Sequence, residues 1–244
     1  MKNKNPFLSV VIPCYNEATY IGILLKGLAS QTYPNFEIVI SNANSTDNTI
    51  EVIESFNLPN LKIVSSEAKG PGYQRNFGVK HTKGEWLLFF DADVILPDKD
   101  FIKKLFLTTM ENNWMTASAR FKVKDTSLIE RIGTRIDYDY LKFLSHTRHP
   151  VAPGWCILTK KELFETNKGF NEKIYFGEDY DYVSRVGRKS FGFVEAACYY
   201  INLRRVHEDG LAFIYKSIAN EVYRHTHHYN LEKSPYSYGF GKHK

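Results

Sequence analysis

The chain has 244 residues, 43% hydrophobic and 24% charged, which supplies apolar material for one large domain and excludes a disordered or low-complexity chain. Its formal net charge is +5, yet 32 basic residues are scattered among 27 acidic ones, so nucleic-acid binding is set aside and phosphate-bearing substrates or an anionic lipid surface remain as partners. Cys14, Cys156 and Cys198 form no CxxC metal signature, and no uncharged apolar run reaches about 18 residues; both features predict a soluble cytoplasmic protein, peripheral to the inner face of a membrane.

Four β-rich runs come first: "LSVVIP" from Leu8, "FEIVIS" from Phe36, "LKIVSS" from Leu61 and "WLLFFDAD" from Trp86. Helical patterns such as "EATYIGILLKGLASQ" and "STDNTIEVIESF" separate them. Alternation of this kind predicts an α/β fold, with a mostly parallel central sheet and helices on both faces. Residues 1–95 read as one half of it, and ligands gather beyond the carboxyl ends of such strands. Polar residues stand there after each run: Asn16 and Glu17, Asn42 and Asn44, Ser65 and Ser66, Asp91 and Asp93.

After Pro97 the rhythm changes. "DKDFIKKLFLTTMENN" predicts a helix and "MTASARFKV" a strand, followed by a long polar-aromatic stretch through "RIDYDYLKFLSHTRHP" with no element assigned. "GWCILTKKELFETNKGF" predicts a strand then a helix, and "GEDYDYVSRVGRK" a helix that begins close to its acids. Residues 96–205 then form a second half of the same domain that completes the site, and 206–244 a C-terminal helix and tail. In that tail Leu211, Ile214, Tyr215, Ile218 and Val222 recur at helical spacing, which suits packing over the second half, a homodimer contact or a lipid surface.

Two carboxylates one residue apart at a strand end, Asp91 and Asp93, can converge on a hard cation such as Mn²⁺ or Mg²⁺, which prefers carboxylate oxygen and bridges to phosphates. Taken singly, "DADV" after four apolar residues also resembles the haloacid-dehalogenase-like phosphatases, which would make Asp91 a nucleophile and Asp93 an acid/base. The other segments separate the two readings. "VVIPCYNEATYIG", "SNANSTDNT", "KGPGYQRNFGVKHTKGEWLLFFDADVILPD" and "GWCILTKKELFETNKGFNEKIYFGEDYDYVSRV", in that order and spacing, resemble the family 2 glycosyltransferases with the GT-A fold, over residues 7 to about 190.

That resemblance implies an inverting, metal-dependent transfer of a sugar from a nucleoside-diphosphate donor, UDP-sugar favoured, to a saccharide or lipid-linked acceptor. It implies that Pro13, Tyr15, Asn16 and Glu17 surround the base and ribose, with Pro13 equally a plain turn former. Where the family carries Asp this chain has Asn42, which both donates and accepts and so discriminates bases less firmly; a non-catalytic nucleotide-sugar binder is the corresponding alternative. Arg75, with Lys69, is implied at the diphosphate or sugar. Asp93 with Asp91 is implied at the metal, and Asp179 as the general base with Glu178 beside it. His207 stands where relatives place a third metal ligand, and Arg204 or Arg205 where a cation would neutralise the departing diphosphate. Asp181 reads as an acid favoured at a helix start, and "HTHHY" as solvated.

Overall fold

The computed structural model describes residues 7–68 and 70–236. Its first half follows the predicted alternation: β1 (Leu8–Cys14), α1 (Ile21–Ala29), β2 (Phe36–Asn42), α2 (Thr49–Ser55), β3 (Leu61–Ser65), α3 (Pro71–Val79) and β4 (Trp86–Phe89). β1 is buried along its whole length because helices cover a parallel sheet, which is why its sequence is a continuous apolar run. The second half comprises α4 (Phe101–Glu111), β5 (Thr116–Val123), α5 (Leu128–Ser145), β6 (Ile157–Lys160), α6 (Lys161–Thr166), α7 (Glu178–Val186), β7 (Phe191–Ile201), α8 (Arg204–Asp209) and α9 (Leu211–Thr226).

All seven strands join one sheet in the order β3-β2-β1-β4-β6-β5-β7. β6 runs antiparallel to both β4 and β5, while the other pairings are parallel, so the sheet is mostly parallel. It continues unbroken across residues 95 and 96. Sequence order runs outward from β1 through β2 to β3 on one side and passes to β4 on the other. That reversal leaves a crevice at the carboxyl ends of β1 and β4, where open α/β sheets take their ligands.

Three elements differ from the sequence expectation. β4 stops at Phe89, and the chain then turns, with Val94 N donating to Asp91 O at 3.3 Å, before Ile95 pairs with Tyr200. The polar-aromatic stretch is helical: it forms most of α5, opened by a capping box in which Ser127 accepts from Glu130 N and Glu130 reaches back to Ser127 N. "FGFVEAACYYI" is the edge strand β7, interrupted by a bulge opposite Ala119 and Arg120 that lets Glu195 meet Tyr138 and Lys142.

The thiols of Cys14 and Cys156 are buried, and burial pushes both well above the ordinary thiol range, as a reading of inert core cysteines requires.

Candidate active site

Asp91 and Asp93 stand in the crevice between β1 and β4. The turn after β4 buries Ala92 and Val94 and leaves both carboxylates partly open. Each is met by an arginine from a different element. Arg75, on α3, donates to Asp91 at 2.6 Å and to Glu178, the first residue of α7, at 2.6 Å. Arg204, the first residue of α8, lies 3.2 Å from Asp93 and grips Glu17 through two bonds of 2.9 and 3.0 Å, with its guanidinium over the Tyr20 ring.

The outcome is two alternating sets, Asp91–Arg75–Glu178 and Asp93–Arg204–Glu17. Asp91 and Asp93 present hard carboxylate oxygens on a partly open rim, the donor type that fits Mn²⁺ or Mg²⁺. Among the described residues no group of three His, Cys, Asp or Glu side chains forms a cage. An ion held here would therefore draw its remaining ligands from substrate and water, as Mg²⁺ commonly does.

The far end of the site is built by α7. Gly177, at φ 89°, supplies the left-handed turn that starts the helix and aims Glu178 and Asp179 inward. Asp179 accepts from Gly154 N at 2.5 Å and from Tyr180 N at 2.8 Å. Burial first, and then the neighbouring Glu178 charge, raise its pKa from 3.8 to about 7 against the opposing pull of Arg75. Below it, Phe89, Phe164, Phe170 and Tyr182 form a tilted and edge-to-face cluster, and the Arg75 guanidinium lies 5.1 Å from the Phe170 ring centre. The position of α7 is therefore fixed by core packing.

Asp179, Glu178, Asp91 and Arg75 open on a cavity of about 630 Å³, walled by Asp137 and Tyr140 of α5, by Trp155, and by Ser217, Ile218 and Glu221 of α9. Tyr140 Oη donates to Glu221 at 2.8 Å and joins the two helices across this space.

The remaining residues named from the sequence have these places. Pro13 is buried within β1, opposite Ser41, and Tyr15 is half-buried at the rim. Asn16 takes a left-handed conformation (φ 55°), and its side-chain oxygen accepts from Thr46 N at 2.8 Å. The Asn42 amide oxygen accepts from both Ser45 N and Ser45 Oγ, which folds the loop after β2 back on itself. Glu17, expected to meet ribose hydroxyls, is buried and held by Arg204; Arg75, expected to reach the diphosphate, is only 2% exposed and is held between Asp91 and Glu178. His207 is not gathered with Asp91 and Asp93: its Nε2 lies 2.5 Å from Glu130 at the start of α5. Asp181 sits in the first turn of α7 and pairs with Arg185. Lys69 lies outside the described residues, as does the Arg205 side chain.

Gly154, Trp155, Asp137 and Glu221 escaped the sequence reading. "PGW" at residues 153–155 carried the one available signal, a turn dipeptide where backbone can approach a functional group. A methyl on Gly154 would stand 2.2 Å from Arg75 Nη2. Gly154→Ala is expected to cost about 1–3 kcal/mol of stability and to impair transfer, because a shifted Arg75 gives up its ion-pair geometry with Asp91 and Glu178. Urea denaturation checks this, and wild-type stability would show that the guanidinium has room to move.

Comparison with known proteins agrees with this geometry. The family model described as glycosyl transferase family 2 matches residues 9–167. That match includes "DADV" and sets aside the phosphatase alternative. A Methanococcus voltae protein, dolichyl N-acetyl-alpha-D-glucosaminyl phosphate 3-beta-D-2,3-diacetamido-2,3-dideoxy-beta-D-glucuronosyltransferase, is 27% identical over 253 aligned positions, covering 97% of this chain and 73% of its own length. Among solved structures, the mannosyltransferase PcManGT from Pyrobaculum calidifontis in complex with GDP-Man and Mn²⁺ superposes with a TM-score of 0.67 at 22% identity, covering 81% of this chain and 57% of that one. TarS of S. aureus in complex with UDP-GlcNAc gives 0.63 at 26% identity, covering 80% and 58%. The chain thus spans a little under three-fifths of these two structures, and its sheet is that of a GT-A fold. With its crevice acids and most of its length inside the family model, the chain belongs to glycosyl transferase family 2.

Proposed function

We propose that this protein transfers a sugar from a nucleoside-diphosphate donor, UDP-sugar favoured, to an acceptor hydroxyl with inversion at the anomeric carbon. The observation that carries the reading is the common space: a carboxyl with a pKa of about 7 and the carboxylate of the β4 rim open on one cavity. A base of that pKa is half-ionised near neutral pH and can accept the acceptor hydroxyl's proton as the new bond forms. Residues 1–95 hold the donor, with Tyr15, Asn16 and Asn42 bordering the base, and residues 96–205 supply the base and the acceptor side.

Arg75 fixes the distance between the two ends, since one guanidinium holds both Asp91 and Glu178. Positioning both substrates in that frame removes much of the entropic barrier to their meeting. Mn²⁺ or Mg²⁺ held by Asp93 and Asp91 would stabilise negative charge on the leaving diphosphate. The UDP preference is supported by the TarS complex with UDP-GlcNAc, and metal use by the PcManGT complex with Mn²⁺. A lipid-linked acceptor is supported by the dolichyl phosphate substrate in the methanococcal relative's name.

UDP-, GDP-, CDP- and dTDP-sugars with and without Mn²⁺ form the test. At a hundredfold excess over Kd the preferred donor is expected to stabilise the fold by about 2.7 kcal/mol, seen as a rise in Tm, with Mn²⁺ required. Asp93→Asn is expected to lose that metal-dependent part. A donor that binds equally well to Asp93→Asn under chelation would sink the metal reading.

A further inference from the structure

α5 is apolar on two opposite sides. Its inner side buries Thr134, Tyr138, Leu141 and Leu144 against the sheet. The outer side carries Ile129, Ile132, Ile136 and Phe143, spaced to form one stripe; Ile129 is 82%, Ile136 64% and Phe143 66% exposed. A helix whose only apolar partner is the core has no use for such a stripe. α9 repeats the pattern: Asn220 and Arg224 face inward, while Ile214, Tyr215, Ile218 and Val222 are exposed.

The two stripes meet at the cavity. Ile218 and Val222 line it and are also exposed, and Tyr140 ties α5 to α9 at its wall. Tyr140, Ile218 and Val222 thus carry exposed surface of both helices to the mouth above Asp179, beside Asp137 and Glu221. Cations edge it: Arg131 and Arg135 follow one border of the α5 stripe, and Lys216 stands on α9 next to Tyr215. Arg131 and Lys216 form no ion pair among the described residues, and Asp139, on the same side of α5, is paired with Arg135 at 2.8 Å. No helix among the described residues is long and apolar enough to cross a membrane.

We propose that the outer faces of α5 and α9 form a docking surface for an anionic lipid bilayer, holding the cavity mouth at the headgroup level so that a lipid-linked acceptor reaches Asp179 without leaving the membrane. Apolar side chains enter the interface, and the flanking cations meet lipid phosphates. A second copy of the chain is the competing occupant: its apolar stripes would also bury this face, but the unpaired cations on both sides would then face one another. Docking stands independently of the transferase reading; the placement of the acceptor rests on it.

Co-sedimentation of the full chain with vesicles tests docking without any activity. Binding is expected to vesicles of phosphatidylcholine and phosphatidylglycerol in equal parts, and to be at least about tenfold weaker to phosphatidylcholine alone. Arg131→Glu with Lys216→Glu should lower anionic binding at least about tenfold, and Ile129→Ser with Ile132→Ser and Ile136→Ser should abolish it. All five positions are solvent-exposed, so Tm and the Tm rise with nucleotide sugar should stay at wild-type values; loss of the latter alone would count against the transferase reading and leave docking intact. Equal binding to both vesicle types would overturn the proposal. So would a stable dimer by light scattering that ignores vesicles and dissociates in the triple serine variant.

Discussion

Asp179→Asn is expected to lower sugar transfer by about 10²–10⁴-fold while leaving donor affinity unchanged, because the amide keeps the size of the carboxyl and loses its basicity. The wild-type rate should climb as pH rises through about 7, where Asp179 gives up its proton, and the residual rate of the variant should lose that limb. Stability should move the other way. The folded-state pKa lies above the ordinary 3.8, so the native protein retains a proton that the unfolded chain releases. Stability therefore declines as pH rises from about 4 to about 7, and the full penalty is present above that range. The Asn variant escapes the penalty, so its Tm should exceed the wild-type value at about pH 8, with the gap closing toward about pH 4. Paired rate and melting profiles check both signs. A variant that transfers at the wild-type rate would remove Asp179 from the role of base.

Arg75→Met is expected to destabilise the fold by about 3–5 kcal/mol, the largest stability loss predicted for this molecule. The guanidinium is 2% exposed and compensates two carboxylates at 2.6 Å, one of which, Glu178, is itself 3% exposed. Methionine fills similar volume but leaves Glu178 as an uncompensated charge beside Asp179. The double variant Arg75→Met with Glu178→Gln should recover about 2 kcal/mol or more, since the remaining Asp91 is a quarter exposed and water can serve it. Urea midpoints of the two variants measure the coupling. A single-variant loss under about 1 kcal/mol would mean that the buried acids take up protons instead.

What the sequence made legible follows from how each element is buried. β1, β2 and β4 are covered on both faces, so they read as apolar runs with polar residues at their ends, and those ends are the rim of the crevice. α5 was obscured because it is apolar inside and outside: the two stripes together fill in the gaps from which a helical period is recognised. Its start was nonetheless written in "SLIE", the capping box. β7 was obscured by the bulge, which breaks strand periodicity at Glu195.

At the site, Asp91, Asp93, Glu178 and Asp179 were legible as acids at element ends. Their partners were not, because nothing local marks which of many arginines will fold against which acid. Arg75 meets Glu178 across 103 positions. His207 shows the converse: its place in the sequence predicted a metal ligand, and tertiary packing gave it Glu130.

The grip of Arg204 on Glu17 spans 187 positions of the chain. A nascent polypeptide still attached to the ribosome can assemble β1 to β4 and the turn that bears Asp93 well before residue 204 has emerged from the exit tunnel. Such a fragment has the crevice but not the clasp that closes its two ends. Joining Glu17 to Asp93 is thus no local event of folding: it waits on residue 204, which follows every strand of the sheet.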